Sequence, residues 1–285
     1  MDKATSVVVA GGAGYIGSHM VRMLRESGYR PVVIDNLATG HPEAARDVPL
    51  RIGDIGDPDF VAGVLREFEP RCVMHFAASS LVGESMQQPG KYWRNNLLQT
   101  LSLLDTLLAH DVRQFIFSST AAVYGNPVEV PIPEDHPTRP INPYGHSKLA
   151  VEHLLRDYDA AHGLRSIALR YFNAAGAHPD GTLGEQHEPE THLIPLVLQV
   201  ASGRRPHIAR YGSQHATPDG SCIRDYIHVQ DLCEAHLLAL RALEAGAATT
   251  VYNLGNGQGH SVNEVIEAGR RVTGHPIPLR DDPPR

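Results

Sequence analysis

Short runs of consecutive apolar residues alternate along the chain with longer stretches whose apolar positions recur every three to four residues. Ser6 to Ala10, all apolar after its first residue, reads as a strand. Tyr15 to Ser27 carries Ile16, Met20, Met23 and Leu24 along one side and reads as a helix. The alternation continues with strands at Pro31 to Ile34 and Leu50 to Ile52, a helix from Asp59 to Phe68, and a strand from Arg71 to Phe76. A leucine-dense helix follows from Gly90 to Ala109, then a strand from Gln114 to Ser118, a helix from Tyr144 to His162 and a strand from Ser166 to Tyr171. Strands apolar throughout are buried on both faces, and strands alternating with helices specify a parallel, doubly wound α/β sheet.

Beyond Phe172 the pattern changes. Gly176 to Glu190 is rich in Gly, Pro, Asp and Glu, the mark of a long functional loop. Helices are expected over His192 to Ser202, Asp231 to Glu244 and Val262 to Thr273, with strands near Ile208, Ile223, Val251 to Leu254 and Ile277 to Leu279. The division expected is a sheet domain over 1–172 and a smaller, irregular region over 173–285 interleaved with the sheet.

Composition narrows the function classes. The 285 residues carry 32 acidic and 25 basic side chains, a formal charge of -7, which argues against a broad basic face that coats nucleic acid. No apolar run approaches the ~20 residues of a spanning helix, so no membrane partner is expected. Cys72, Cys222 and Cys233 form neither a disulfide framework nor a CxxC pair, favouring a reducing, cytoplasmic setting. The 17 histidines include no HExxH. The segment from His187 to His192 has the wrong spacing and a proline for two ligands one helical turn apart, so no metal is expected.

Candidate chemistry starts where the first strand turns into the first helix. Gly11-Gly12-Ala13-Gly14-Tyr15-Ile16-Gly17 satisfies G-x-x-G-x-x-G and G-x-G-x-x-G, and Asp35 ends the next strand eighteen residues beyond Gly17. In that context the glycines let backbone approach a pyrophosphate, while the helix N-terminus favours the anion. Asp35 is placed to accept from the ribose hydroxyls and to repel a 2'-phosphate, so NAD is favoured over NADP. The alternative is a tight turn without a ligand. Asp54 is open between reaching the adenine and capping a surface turn.

Asn142-Pro143-Tyr144-Gly145-His146-Ser147-Lys148 sets Tyr-x-x-x-Lys at a helix start, with one of only three lysines in the chain. The i, i+4 spacing puts the ammonium on the phenol's face. A tyrosine acting as a base near neutrality must fall by roughly three pKa units, ~4 kcal/mol, which the lysine, the helix end and a positive nicotinamide could together supply. Ser118-Ser119-Thr120 ends a strand with three hydroxyls, where open α/β sheets bind ligands. One of them could hold the substrate oxygen that Tyr144 deprotonates; for Ser118 a local backbone role is preferred.

Taken with Asp35-Asn36-Leu37, Gly53-Asp54-Ile55, Phe76-Ala77-Ala78, Asn95-Asn96, Val123-Tyr124-Gly125, Leu169-Arg170-Tyr171-Phe172-Asn173, His192-Leu193-Ile194-Pro195 and Arg224-Asp225-Tyr226, these motifs resemble the extended short-chain dehydrogenase/reductase family. The likeness runs nearly the whole chain and is strongest to its UDP-glucose (UDP-galactose) 4-epimerase branch. It implies a Rossmann-type domain, an NAD cofactor, a UDP-hexose substrate, epimerisation at C4 through a 4-keto sugar, and a homodimer through the 90–109 and 144–162 helices. By resemblance Tyr144 is the base, Lys148 tunes it and holds the nicotinamide ribose, and Thr120 is the partner hydroxyl. Gly11, Gly14, Tyr15, Ile16, Gly17, Asp35, Asn36, Asp54, Ile55, Phe76, Ala77, Ala78, Ser80, Asn95 and Phe172 are implied to line NAD. Asn173, His192, Leu193, Tyr211 and Arg224 are implied to face the UDP-sugar. Arg224 also has a rationale of its own, since an anionic protein that binds a diphosphate needs a local cation; a structural pair with Asp225 is its alternative. Sugar-nucleotide dehydratases place acidic residues after the threonine, where this chain has Ala121 and Ala122. Other readings are an epimerase or decarboxylase of another nucleotide sugar, or a non-catalytic NAD-binding protein. The family pattern continues for several dozen residues past position 285, with an Arg and an Asp implied to clasp the diphosphate and uridine ribose.

Overall fold

The computed structural model describes residues 4–283. In chain order its elements are β1 (Ser6–Ala10), α1 (Tyr15–Glu26), β2 (Arg30–Asp35), β3 (Leu50–Ile52), α2 (Pro58–Phe68), β4 (Cys72–His75), α3 (Val82–Gln87), α4 (Pro89–Tyr92) and α5 (Gln99–Ala109). There follow β5 (Gln114–Thr120), α6 (Pro143–His162), β6 (Arg165–Tyr171), β7 (Asn173–Ala175), α7 (Leu193–Ala201), β8 (Ile208–Tyr211), β9 (Ile223–His228) and α8 (Val229–Glu244). The last are β10 (Thr250–Leu254), β11 (Gly259–Ser261), α9 (Val262–Thr273) and β12 (Leu279–Asp282).

Seven parallel strands form the main sheet in the order β10-β6-β5-β4-β1-β2-β3. The β-branched run of β1 is buried on both faces, as a central parallel strand requires. On one face Met20, Val21 and Leu24 of α1 pack with Cys233, Leu237 and Leu240 of α8. On the other, Val61 and Val64 of α2, Leu103, Leu104 and Leu107 of α5, and Val151 and Leu155 of α6 form a second core. The sheet is therefore doubly wound, and its order reverses between β1 and β4. Crevices for ligands open at the carboxyl ends of strands around such a switch point. The region after Phe172 sends α8 and β10 back to this sheet. Its remainder builds a three-stranded sheet (β11-β9-β7), a two-stranded one (β12-β8), and a small core of Val197, Val200, Ile208, Ile266 and Ile277 between α7 and α9.

Local chemistry fixes the ends that matter. Asn142 caps α6 by accepting from the Gly145 N–H at 2.8 Å, Pro143 fills the first helical position, and Gly163 ends the helix at φ 68°. Ser261 and Glu264 form a capping box on α9. Two expectations shift. The helix expected over 90–109 is interrupted, because Trp93–Leu98 winds as a π-turn between α4 and α5. The strand expected at Ile277 to Leu279 lies at Leu279–Asp282, since Ile277 is drawn into the α7–α9 core. Among the described residues no helix is long and apolar enough to cross a membrane.

Candidate active site

The glycine turn closes over the switch point. Gly11 takes φ 80°, and its N–H donates to the Ile34 carbonyl at 2.8 Å. A Cβ on Gly11 would stand 2.6 Å from the Ala77 nitrogen, and one on Gly17 2.1 Å from the Gly11 carbonyl oxygen. These two glycines let α1 and the segment after β4 pack against the turn. Gly14 differs: a Cβ there would meet only the Gly11 oxygen, at 3.4 Å. It stands at the start of α1, which has no side-chain cap and no acid in its first turn. An open glycine before an uncapped helix end fits the pyrophosphate of NAD.

Asp35 is buried, and its carboxylate accepts from the Ala13 N–H at 2.9 Å and the Leu37 N–H at 2.8 Å. It thereby ties the glycine turn to the end of β2. Asp54 has both oxygens engaged, by the Gly56 N–H at 2.8 Å and the Gln99 amide at 3.0 Å, so its turn-capping reading describes these contacts. Asn36 caps its own turn through Ala38. Ile16, partly buried, packs against the core under α1, and Ile55 is buried in the core on the other face of the sheet. Tyr15 spends its hydroxyl on the Gly176 carbonyl at 2.7 Å, binding the long loop to α1. Phe76 and Ala77 both donate from their backbone to the Ala10 carbonyl, while Ala78 is half-buried and Ser80 exposed.

Thr120 ends β5 and is buried; its Oγ accepts from the Ala122 N–H at 3.1 Å. Tyr144, the second residue of α6, sits edge-on to the Tyr92 ring, 6.4 Å between centroids. Burial raises the Tyr144 pKa above its ordinary 10, and its hydrogen bond with Thr120 works weakly the other way. Lys148 is 2% exposed, donates to the Ser118 carbonyl at 2.8 Å, and lies 4.7 Å over the Phe117 ring. Burial pushes its pKa down to about 7. Tyrosine and lysine share a face of α6, but with the protein's own groups desolvation dominates both. Ser118 takes a backbone role toward Lys148.

Sequence reasoning chose Asn95; the structure makes Asn96 the organiser. Asn96 is buried, accepts from the Ser79 N–H at 2.9 Å, and donates to the Ser79 carbonyl at 2.9 Å and the Ser147 hydroxyl at 3.1 Å. Ser147 in turn donates to the Tyr144 carbonyl at 2.8 Å. The π-turn sets Asn96 inward, so the loop after β4 is pinned to the first turn of α6; such turns recur at functional sites. Asn95 is half-buried and donates to Asn96 at 3.0 Å.

A buried ion pair braces the same elements from behind. Glu152, eight residues beyond Tyr144, receives Arg170 Nε at 2.9 Å and Nη2 at 2.5 Å, and also the Ser119 hydroxyl at 2.5 Å. Arg170 further donates to the Tyr124 hydroxyl at 2.8 Å, and that hydroxyl to Asn253 at 2.7 Å. Burial acts to lower the Arg170 pKa, but the Glu152 carboxylate outweighs it and the net shift is upward. The network clamps α6 to β5, β6 and β10.

On the second half, Arg224 donates to its neighbour's carbonyl at Ile223 and makes no ion pair among the described residues. The Asp225 carboxylate is taken up instead by the N–H groups of Asn256 and Gly257 at 2.9 and 2.8 Å. Asn173 donates to the Asp225 carbonyl at 2.8 Å, joining β7 to β9. Leu193 packs on the α7–α9 core, Phe172 is half-buried, and Tyr211 ends β8 beside Asp282 of β12. Arg210 forks onto Asp281 at 2.6 and 3.0 Å. His192 stands at the N-cap position of α7 without a side-chain cap bond and pairs with Glu185. The loop brings Glu185, His187, Glu190 and His192 together, a proximity that the helical spacing of ligands does not capture.

The sequence model of the NAD dependent epimerase/dehydratase family matches residues 7–255. The chain belongs to that family. Within it, the chain is 52% identical over 280 residues to the UDP-glucose 4-epimerase of Halalkalibacterium halodurans, covering 98% of this chain and 84% of that protein. It is 53% identical to the Streptomyces lividans UDP-glucose 4-epimerase, covering 95% and 82%. The Brucella ovis UDP-glucose 4-epimerase, solved in complex with NAD, superposes with a TM-score of 0.96 at 48% identity, covering 99% of this chain and 87% of that one. The Bifidobacterium longum enzyme, solved with NAD+ and UDP, gives 0.93 at 41%, covering 99% and 87%. The epimerase/dehydratase family thus accounts for the doubly wound sheet, the glycine turn and the Tyr-x-x-x-Lys helix together.

Proposed function

We infer that this chain interconverts UDP-glucose and UDP-galactose by oxidising the sugar at C4 and reducing it again from the other face. The observation that carries the reading is the convergence of Thr120, Tyr144 and Lys148 at the carboxyl side of the sheet whose switch point holds the open glycine turn. Relatives at about half identity over nearly the whole chain carry that activity in their names. When bound, NAD supplies the hydride acceptor and donor and a positive charge in its oxidised form. The Tyr144 phenolate takes the proton of the sugar 4-hydroxyl and, as the phenol, returns it, with Thr120 holding the same sugar oxygen. The Lys148 ammonium, on the same face of α6, stabilises that phenolate. Gly14 and the α1 N-terminus hold the pyrophosphate and Asp35 the adenosine ribose. Arg224, free of carboxylate partners, meets the UDP diphosphate, and that anchoring lets the hexose turn over between the two hydride transfers. Asn173, His192, Leu193 and Tyr211 lie on the elements that border this side of the cleft.

The reading is tested with UDP-galactose carrying deuterium at C4. Because the hydride leaves and returns at one cofactor, UDP-glucose should form without added NAD and keep the deuterium at C4. Loss of the label to water, or a requirement for free NAD in each turnover, would count against the mechanism. A cytoplasmic location accords with three free cysteines, two of them buried. A homodimer through the 90–109 and 144–162 helices accords with the exposed Trp93 and Leu98 on the first of them. A mass of one chain by light scattering would refute it.

A further inference from the structure

The loop between β7 and α7 is anchored at its start and middle. The Tyr15 hydroxyl holds Gly176, Arg22 pairs with Asp180 at 2.6 Å, and the His41 ring meets the Gln186 carbonyl at 3.3 Å. At its return to α7, four side chains converge. The ligand-type atoms of Glu185, His187, Glu190 and His192 all lie within 4.8 Å of one another. We propose that these four residues form a divalent transition-metal site, with Zn2+ the cation best matched to them.

Three observations support the assignment. First, spacing: a tetrahedral ion with bonds of ~2.1 Å needs donor atoms ~3.4 Å apart. His187 Nδ1 lies 3.5 Å from Glu185 Oε1 and 3.6 Å from Glu190 Oε2, and His192 Nδ1 lies 3.8 Å from Glu190 Oε1. The His192–Glu185 contact is a direct hydrogen bond that a bound ion would open. Second, charge: the Glu185 and Glu190 side chains are 7% and 4% exposed, and the two imidazoles are their only ion-pair partners among the described residues. Two carboxylates withdrawn from water demand positive charge. Third, an orphan: His187 Nδ1 is shielded from solvent, has no hydrogen-bond partner, and points between the two carboxylates. Coordination would satisfy it. Two imidazoles and two carboxylates suit Zn2+, whereas Ca2+ and Mg2+ require more oxygen ligands. The absence of HExxH has no bearing, since these ligands come from a loop. His192 stands at the N-cap position of α7, so a bound ion would tie the loop, already pinned to α1, to the start of that helix.

The test uses the full chain with its nucleotide as purified, treated with EDTA and dialysed. Titration with ZnCl2 should show one site per chain, a raised melting temperature, and at least ~100-fold weaker binding in the His187→Ala/His192→Ala double variant. Absence of a stoichiometric site, or binding unchanged in that variant, would overturn the proposal in favour of an internally hydrogen-bonded cluster or adventitious binding at other histidines. Co2+ bound to the unmodified chain gives a readout that does not depend on how the variant folds. Intense visible bands of tetrahedral coordination support the site, and the weak spectrum of an octahedral ion overturns it.

Discussion

Replacing Lys148 with methionine should stabilise the protein while destroying its activity. The lysine has an ordinary pKa of 10.5 and is pushed down to about 7 by burial. Each pKa unit is worth about 1.36 kcal/mol, so below pH 7 the buried ammonium costs about 5 kcal/mol relative to the same group in the unfolded chain. The sign follows from proton counts. Between pH 7 and 10.5 the unfolded chain binds the proton and the folded chain does not, so wild-type stability rises with pH across that window. Methionine has no such dependence and roughly fills the same space. Its loss of the hydrogen bond to the Ser118 carbonyl subtracts ~1 kcal/mol at any pH. Urea unfolding of nucleotide-free protein should therefore find the variant more stable by about 4 kcal/mol at pH 6, the gap narrowing by about 3 kcal/mol at pH 9. A gap that is constant with pH, or that widens toward pH 9, would refute the desolvation argument.

Other consequences are equally direct. Glu152→Ala leaves the Arg170 charge buried without its carboxylate and should cost about 3–5 kcal/mol in urea unfolding, whereas Glu152→Met with Arg170→Met together should cost far less; a single-variant loss below ~1 kcal/mol would contradict the bracing role. Gly17→Ala drives a Cβ into the Gly11 carbonyl and should lose more than ~1–3 kcal/mol of stability, while Gly14→Ala should fold normally and lose NAD affinity by calorimetry. Equal stability losses at the two glycines would argue against Gly14 as the ligand-facing position. Asn96→Ala strands the Ser79 backbone groups and should cost about 1–3 kcal/mol and weaken NAD binding, and an unchanged NAD affinity would show that Asn96 is merely structural.

The sheet was legible because its central strands carry runs of consecutive apolar residues and its helices keep a 3.6-residue period. Those patterns come from burial between two helical layers. The glycine turn and Asp35 were legible for a similar reason, being local chemistry at a strand-to-helix junction. What escaped depends on contacts far apart in sequence. Asn95 and Asn96 are adjacent amides, and only the π-turn decides which faces inward. The low pKa of Lys148 comes from the core that closes around it, not from its neighbours on α6. The Glu185–His192 cluster has no helical or CxxC spacing to betray it, and a loop of this length brings its side chains together only once folded.

The central claim, that Tyr144 exchanges the proton while the glycine-turn cleft holds NAD, is tested most directly by Tyr144→Phe. The substitution removes one hydroxyl from a side chain whose ring packing against Tyr92 is retained. Turnover of UDP-galactose to UDP-glucose should fall by at least ~100-fold while the purified variant keeps a full complement of bound NAD. Activity within a few-fold of wild type, with NAD in place, would contradict the account.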